Sequence, residues 1–491
     1  MKKIFLLAFF CSLIYTSLPA QSWEWAKNFH YGDASGGLHI GADKKGSIYV
    51  YGADYFQTHA GSPQNYYYPI LCKYDSLGSL VWKDTLPHFI KSLVTDTLGN
   101  IYCISGGPKV IKYNSSGQLL WWSESTGVNL CSIALHPQGG VVVSGGFNDG
   151  DTTRAIVSRC DTSGNILWST YWHLGRGGQM ENALACDMEG NTYFTGGCDI
   201  NSLDVNKGIL AKFDSAGNII STLKIPHSAG NIKVNANHDF YLLQANGNSI
   251  EIDGTIYPES LNFYLIKYDQ SGQVLWFKTI SGEYLYCFGI EIDNADNIFV
   301  AGTFENTLMF DNTNLQEANT NIFILKVGEN GNNRWIKHSS GSQCGINSRD
   351  FVVSPRGEIF ITGEASGKTK SFDNHTFSVV SNIYPELYIA KLKDGNNNFL
   401  NIEEKKINGH LFIYPNPTLK VVVIQYENHS GNRDLTVNIL NMTGQKLFSE
   451  TYSDFSGTFS KQLDLSKFAK GVYFIELRSG DAVETKKIIL E

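Results

Sequence analysis

Residues 73–85 read KYDSLGSLVWKDT, residues 112–123 read KYNSSGQLLWWS and residues 267–279 read KYDQSGQVLWFKT. A chain that writes a lysine, an acidic or amide turn and a tryptophan at one spacing builds units that use those residues alike. Aligned on its glycine, the pattern gives Gly78, Gly117, Gly164, Gly217, Gly272 and Gly331, and a shortened copy, KLKDG, ends at Gly395. Four residues further on stand Trp82, Trp121, Trp168, Ser221, Trp276, Trp335 and Phe399, so seven copies show one clear failure, at Ser221.

A second motif runs between these copies: an acidic or polar residue, glycine three later and an aromatic six later. It reads DKKGSIY from Asp43, DTLGNIY from Asp96, DMEGNTY from Asp187, DNADNIF from Asp293 and SPRGEIF from Ser354, with weaker copies HPQGGVV at His136 and NANHDFY at Asn235. An Asp or Asn side chain bonds to the backbone two residues on and glycine accepts positive φ, so D-x-x-G is a tight reversal. On either side, Ile, Val, Leu, Tyr and Trp alternate with polar residues, the period of a half-buried strand. Each unit is then two hairpins, or four antiparallel strands. One such sheet cannot bury both faces, whereas seven set radially stack face to face, each Trp filling the space between neighbours.

The expected fold is all-β: a seven-bladed β-propeller of four-stranded antiparallel blades over residues 21–400, a linker at 401–410 and a small Ig-like β-sandwich over 411–491. The alternation of D-x-x-G-N-I-Y with K-Y-D-x-x-G-x-x-x-W resembles the bacterial seven-bladed β-propeller repeat family over roughly residues 22–400. The opening SWEWAKNF looks like a fourth strand without its first three. Trp25 and Phe399 compete for the last tryptophan slot, and Trp25 is favoured because GNNNF is a poor strand former.

The chain ends give an address. Residues 1–20 carry two lysines, a short apolar stretch and small residues up to Ala20, the pattern of a cleavable signal peptide with cleavage after Ala20. No later apolar run is long enough to span a bilayer, so no transmembrane segment is expected in the mature chain. The last domain reads LFIYPNPT, VVVIQYE, LTVNILNMTGQKLF, LDLSKFAKGVYFIEL and ETKKIILE. That order resembles the C-terminal sorting domain of the type IX secretion system of Bacteroidetes, through Tyr414, Pro415, Asn416, Pro417, Gly444, Gly471, Tyr473 and Lys487. The resemblance implies type IX machinery as a partner and a secreted or outer-membrane surface-attached protein.

Composition narrows the partner. A formal net charge of -8 without a Lys/Arg cluster argues against nucleic acid. The eight cysteines after Cys11 are scattered, mostly inside strand patterns, and read as buried thiols. No C-x-x-C, H-E-x-x-H, G-x-S-x-G or P-loop occurs, and no cofactor or metal is expected.

Both tight turns of a unit join strands at one edge, so the long connections emerge at the other, the expected binding surface. His30, His88, His173, His227 and His338 lie just after fourth strands but on different units, and read as solvated loop histidines rather than a metal set. Tyr55, Phe56, His59, Tyr66, Tyr67 and Tyr68 in the first unit, and Trp172, Arg176 and Glu181 in the third, put aromatics beside polar groups. Tyr55, Tyr67, Trp172, Arg176 and Glu181 are the candidate ligand face. The segments Phe310–Asn312 and Phe372–Asn374 resemble each other and look architectural. The favoured function is a secreted binding module for a glycan or protein. The alternative is a polysaccharide hydrolase or lyase using acids and tyrosines of that face.

Overall fold

The computed structural model describes residues 21–31, 34–57, 65–105, 107–123, 126–148, 153–175, 183–197, 208–225, 230–245, 250–252, 255–257, 262–341, 344–367, 369–379, 385–394, 411–440, 446–479 and 482–490. Among them there is no helix. The chain divides into two compact units, Met1–Asn397 and Asn398–Glu491.

In the first unit the repeat becomes antiparallel sheets. The first sheet orders Ala34–Ala42, Ile48–Gln57, Asn65–Tyr74 and Leu80–Thr85, and the second Ile90–Thr95, Ile101–Ser105, Val110–Tyr113 and Leu119–Trp122. The third orders Asn129–Leu135, Val141–Asn148, Thr153–Cys160 and Ile166–Gly175, and the fourth Ala183–Cys186, Thr192–Gly197, Gly208–Phe213 and Ile219–Ile225. Next, Val274–Ile292 is one long strand that pairs with Phe263–Tyr268 by its start and with Ile298–Phe310 by its end, which fuses two repeats into a seven-stranded sheet. The closing sheet orders Cys344–Val353, Ile359–Gly367, Glu386–Lys393 and, from the far end of the sequence, Ser22–Phe29.

The first strand of each repeat touches the first strand of the next, and the series returns from Cys344–Val353 to Ala34–Ala42. The first strands therefore surround an axis. Trp25 lies opposite Lys391, the register that Trp82 keeps with Lys73 and Trp276 with Lys267. Trp25 thus fills the last tryptophan slot, while Phe399 lies outside the described residues.

The turns explain the motif residue by residue. In the first, Asp43 Oδ1 accepts the N–H groups of Lys45 and Ser47 at 2.8 and 2.9 Å, and its Oδ2 accepts the Tyr49 hydroxyl at 3.1 Å. Asp75 does the same for Leu77 and Ser79 at 2.9 and 2.8 Å. Gly78 has φ of 72°, and a Cβ there would meet the Trp25 ring at 2.9 Å, so both conformation and packing demand glycine. Each tryptophan lies on the next repeat's turn and donates its indole N–H to it: Trp25 to Ser76 O at 3.2 Å, Trp82 to Ser115 O at 3.3 Å, Trp121 to Thr162 O at 3.0 Å and Trp276 to Glu329 O at 2.9 Å.

The motif lysines join the same contacts. Lys73 and Lys112 bond to Ser115 O and Thr162 O, each at 3.1 Å, and their ammonium groups lie 5.0 and 4.8 Å from the centroids of the Tyr49 and Tyr102 rings. Where Ser221 breaks the series, Leu223 lies against the next turn, at 2.7 Å from a Cβ on Gly272. Lysine, turn and tryptophan are a fastening between sheets.

Two hairpins decorate the later repeats. Asp311 and Asp373, both at positive φ, form ion pairs with Lys278 at 2.8 Å and Lys337 at 2.6 Å. Asp373 also accepts the Trp23 N–H at 3.0 Å, and Phe372 meets Trp23 edge-on at 4.8 Å. The two F-D-N segments are architectural, and one of them holds the closing strand.

The second unit comprises Leu411–Tyr414, Val421–Leu440, Lys446–Asp464, Gly471–Ser479 and Ala482–Leu490 around one core that includes Val422, Ile424, Val437, Ile475, Leu477 and Ile488. Its two long strands pair along their length, the first lying between the second and both Leu411–Tyr414 and Gly471–Ser479.

Candidate functional site

The turn edge of the first unit is chemically spent. Asp187, Glu189 and His238 place three metal-ligand atoms within 4.8 Å of one another. Yet Asp187 Oδ2 already accepts from Asn191 Nδ2 at 2.8 Å and the Tyr193 hydroxyl at 3.3 Å, and lies 3.0 Å from His238 Nδ1. Burial pushes the Asp187 carboxyl up, but the Asn191 bonds, His238 and Lys212 outweigh it and hold it below the usual range. His238 stands in the glycine slot of its turn, at φ of 64°, so this cluster is a strut between successive turns. Asp161, Asp214 and Asp269 are likewise held down, foremost by side-chain bonds from Asn165, Asn218 and Ser271.

Away from the turns the balance reverses. Asp54 lies seven positions beyond the turn residue Ser47, at 3% exposure, and burial pushes its carboxyl up against the opposing pull of Lys83. Its Oδ2 meets Lys83 Nζ at 2.5 Å, while its Oδ1 has no hydrogen-bond partner among the described residues. Lys83 Nζ also lies 4.0 Å from the centroid of the Tyr31 ring, whose hydroxyl is 3.3 Å from that of Tyr74. Burial pushes Tyr31 up to about 12. Tyr68, 43% exposed, pairs with Asp54 in strand register, and Tyr55 pairs with Tyr67 one step on.

Two more acids are raised, Glu364 away from the turns and Glu291 two positions before the turn residue Asp293. Burial raises Glu364, with Arg349 at 3.8 Å pulling the other way, and raises Glu291, whose two oxygens lie 2.9 and 2.8 Å from Lys233 Nζ. Asp350, on the first strand beside Arg349, accepts the Ile40 N–H at 3.1 Å and lies 3.6 Å from His39 Nδ1. A charged arc thus runs along the first strands from Lys233 and Glu291 through Asp350 to His39. On the intervening strands the long strand presents Tyr284 and Tyr286, 74% and 58% exposed, with Tyr284 at φ of 45°.

Of the sequence-derived ligand face, Tyr55 and Tyr67 come together in register, and Trp172 lies on another sheet, opposite Ala155. The side chains of Tyr55, Tyr67 and Trp172, and the whole of Arg176 and Glu181, lie outside the described residues. His30 is an exposed loop residue, as expected, whereas His88 and His338 are half-buried. His88 packs on Trp122 at 4.6 Å with Nε2 3.2 Å from the Tyr113 hydroxyl, His30 lies 3.4 Å from buried Glu386, and His338 Nδ1 lies 2.9 Å from Ser339 O. They finish strands by bonding locally; His227 and the His173 side chain lie outside the described residues. Cys72, Cys103, Cys160 and Cys287 are buried free thiols.

In the second unit, Tyr414 ends the first strand and Asn416 Oδ1 accepts the Ile489 N–H at 2.9 Å. Gly471 and Tyr473 pair with Leu490 and Ile488, and Lys487 with Phe474. The Tyr473 hydroxyl donates to Ala469 O at 2.6 Å. Ala20 and Gly444 lie outside the described residues.

Residues 412–491 match the family of secretion system C-terminal sorting domains. Such a domain implies export by the type IX secretion system and interaction with its machinery, and indicates a secreted or surface-attached protein. Among the described residues no helix is long and apolar enough to cross a membrane. Over 146 residues the chain is 25% identical to an uncharacterised WD repeat-containing protein of Acanthamoeba polyphaga mimivirus, covering 26% of this chain and 10% of that protein. The chain therefore spans about a tenth of that relative's length. Among solved structures it is similar to the Dos1 propeller, at 10% identity and a TM-score of 0.42, covering 76% of this chain and 95% of the other. The Pan2 WD40 domain of Neurospora crassa gives 9%, 0.43, 72% and 88%, and a protein of unknown function from Bacteroides caccae gives 11%, 0.36, 62% and 93%.

Proposed function

We propose that residues 21–400 form a seven-bladed β-propeller, closed by the strand bearing Trp25, that binds a glycan or protein ligand outside the cell, and that residues 411–491 form an Ig-like β-sandwich. The cyclic succession of first strands and the seven tryptophan-slot registers support the blade count. A signal peptide ending at Ala20 and the type IX address supply the route.

The observation that carries the binding role is the Asp54–Lys83–Tyr31 group. It sits away from the turns and combines an ion pair, a half-buried aromatic ring and a carboxylate oxygen with no hydrogen-bond partner among the described residues. Tyrosine faces stack on sugar rings or peptide side chains while the charged pair fixes orientation. Tyr55, Tyr67, Trp172, Arg176 and Glu181 extend the same face in this reading.

The test is a glycan and polysaccharide array probed with the purified chain from residue 21, followed by analysis of bound material for cleavage. Binding without products, weakened about tenfold in Lys83→Met, is the expected result. Released products would instead make the chain a hydrolase or lyase. Silence across the array, with capture of a surface protein, would make the ligand a protein.

A further inference from the structure

The three slots that bring Tyr31, Lys83 and Tyr74 together are filled again one repeat on, with other residues. Tyr31 stands six positions after Trp25, and His88 six after Trp82. Lys83 directly follows Trp82, as Trp122 follows Trp121, and Tyr74 and Tyr113 each lie four positions before a motif glycine. Strand register agrees: Lys83 pairs with Cys72 and Trp122 with Ile111, each beside the pair made by motif lysine and tryptophan. The contacts match as well. Lys83 Nζ lies 4.0 Å from the centroid of the Tyr31 ring, and the Trp122 and His88 ring centroids are 4.6 Å apart. The Tyr31 and Tyr74 hydroxyls are 3.3 Å apart, and His88 Nε2 lies 3.2 Å from the Tyr113 hydroxyl. In the next repeat the same slots hold Gly127, Ser169 and Cys160, so the fold itself does not require the arrangement.

Between the two copies the chemistry changes. Trp122, 42% exposed, puts an indole where the first copy has an ammonium, and Phe89, next to His88, is 54% exposed. Lys109, just before the strand Val110–Tyr113, brings its ammonium within 5.9 Å of the centroid of the Trp122 ring. Burial holds His88 below its ordinary value, so its ring is neutral at pH 7. An indole bordered by imidazole and ammonium suits a sugar, whose C–H face stacks on the ring while its hydroxyls meet the polar groups. His88 lies in the connection from Leu80–Thr85 to Ile90–Thr95, as Tyr31 lies in the one from Ser22–Phe29 to Ala34–Ala42, so both copies face the edge away from the turns. Five positions separate His88 from Lys83, at most about 18 Å of extended chain.

We propose that Trp122, Phe89, His88 and Lys109 form a second sugar-binding site, with Tyr113 positioning His88, and that this site and the Asp54–Lys83–Tyr31 group are consecutive subsites for one oligosaccharide. This rests on the binding role of the first group and narrows its ligand to a glycan that reaches across two repeats. A short sugar occupies the first subsite alone, whereas a longer chain gains the second contact without a second encounter.

The test is an array of oligosaccharides graded in length, with aromatic peptides alongside, probed with the purified chain from residue 21 and with three variants of it. The unaltered chain is expected to hold longer oligosaccharides more tightly than disaccharides. Trp122→Ala should weaken the longer ones about tenfold and leave disaccharides within about twofold, whereas Lys83→Met should weaken both. Trp122→Phe, which keeps an aromatic face, should recover most of the loss. Undiminished binding in Trp122→Ala beside a loss in Lys83→Met would overturn the second site and leave the first standing. Equal losses for short and long sugars in Trp122→Ala would overturn the consecutive order. No oligosaccharide held by the unaltered chain would overturn both sites as sugar sites, and peptide capture that depends on Trp122 would make the ligand a peptide instead.

Discussion

Two groups of carboxylates in the first unit are treated in opposite ways. At the turn edge, Asp161, Asp187, Asp214 and Asp269 collect several donors each and are held below their ordinary range. Asp54 and Glu364, far from the turns, are raised by burial, each against a single cationic partner. An acid held down favours the folded state at neutral pH, whereas an acid held up opposes it. The repeat spends its chemistry on holding sheets together at one edge. Elsewhere it tolerates acids that cost stability, and perturbed acids in such places are candidates for function.

The largest effect that would break this contrast is expected at the fastening. Trp335 is 8% exposed and donates to Asp394 Oδ1 at 3.1 Å, so Trp335→Ala should cost about 3–5 kcal/mol in denaturant unfolding. A loss below that range would mean that the tryptophans merely cover the turns. Next comes the turn acid. Asp43→Ala removes an acceptor serving Lys45, Ser47 and Tyr49, and should cost about 1–3 kcal/mol.

Smaller and more telling is the pH response. The stability owed to the depressed Asp187 carboxyl is present above the ordinary carboxylate range and is lost as the pH falls through its lowered folded-state value. Asp187→Asn should therefore converge with the wild type in acid and diverge towards neutrality, the variant being the weaker. Glu364 has the opposite sign: its folded form favours the proton, so Glu364→Gln should match the wild type in acid and exceed it as the pH rises. Unfolding midpoints measured from pH 3 to 7 decide both, and equal signs for the two variants would dissolve the contrast.

The smallest effect concerns Tyr284. It stands at φ of 45° with 74% exposure, so Tyr284→Gly should raise stability by up to about 1 kcal/mol while weakening ligand capture. A stability gain with binding intact would remove Tyr284 from the surface that matters.

The fold was largely legible because the fastening repeats. Trp82, Gly117 and Lys73 recur at spacings that one sheet after another must satisfy, and a copied contact leaves a copied string. Ser221 looked like a gap because its replacement, Leu223, comes from two positions along the same strand. Two turns stayed readable without glycine, at DNADNIF and the weaker NANHDFY, and there Asp296 and His238 enter the left-handed region that glycine usually serves. The site was far less legible. Asp54, Lys83, Tyr31 and Tyr74 meet once, through strand pairing and side-chain reach, so no period announces them. Lys83 even stands inside the first quoted string, but only Lys73 recurs. The tyrosines of Asn65–Tyr74 were visible as an aromatic cluster, whereas the acid buried opposite them was one of 47 acidic residues.

The closing strand has a consequence for the order of events during synthesis and export. Trp23 meets Asp373 across 350 positions of sequence, and joining such distant points restricts the chain by about 5 kcal/mol before any local gain is counted. Neighbouring repeats can dock as they emerge, but the seam between the newest and oldest segments must wait for nearly all of the first unit. Until then the leading strand is an unmated edge, vulnerable to wrong partners; once seated, it ties the beginning of the unit to its end. Release of the leading strand then requires the seam to open first.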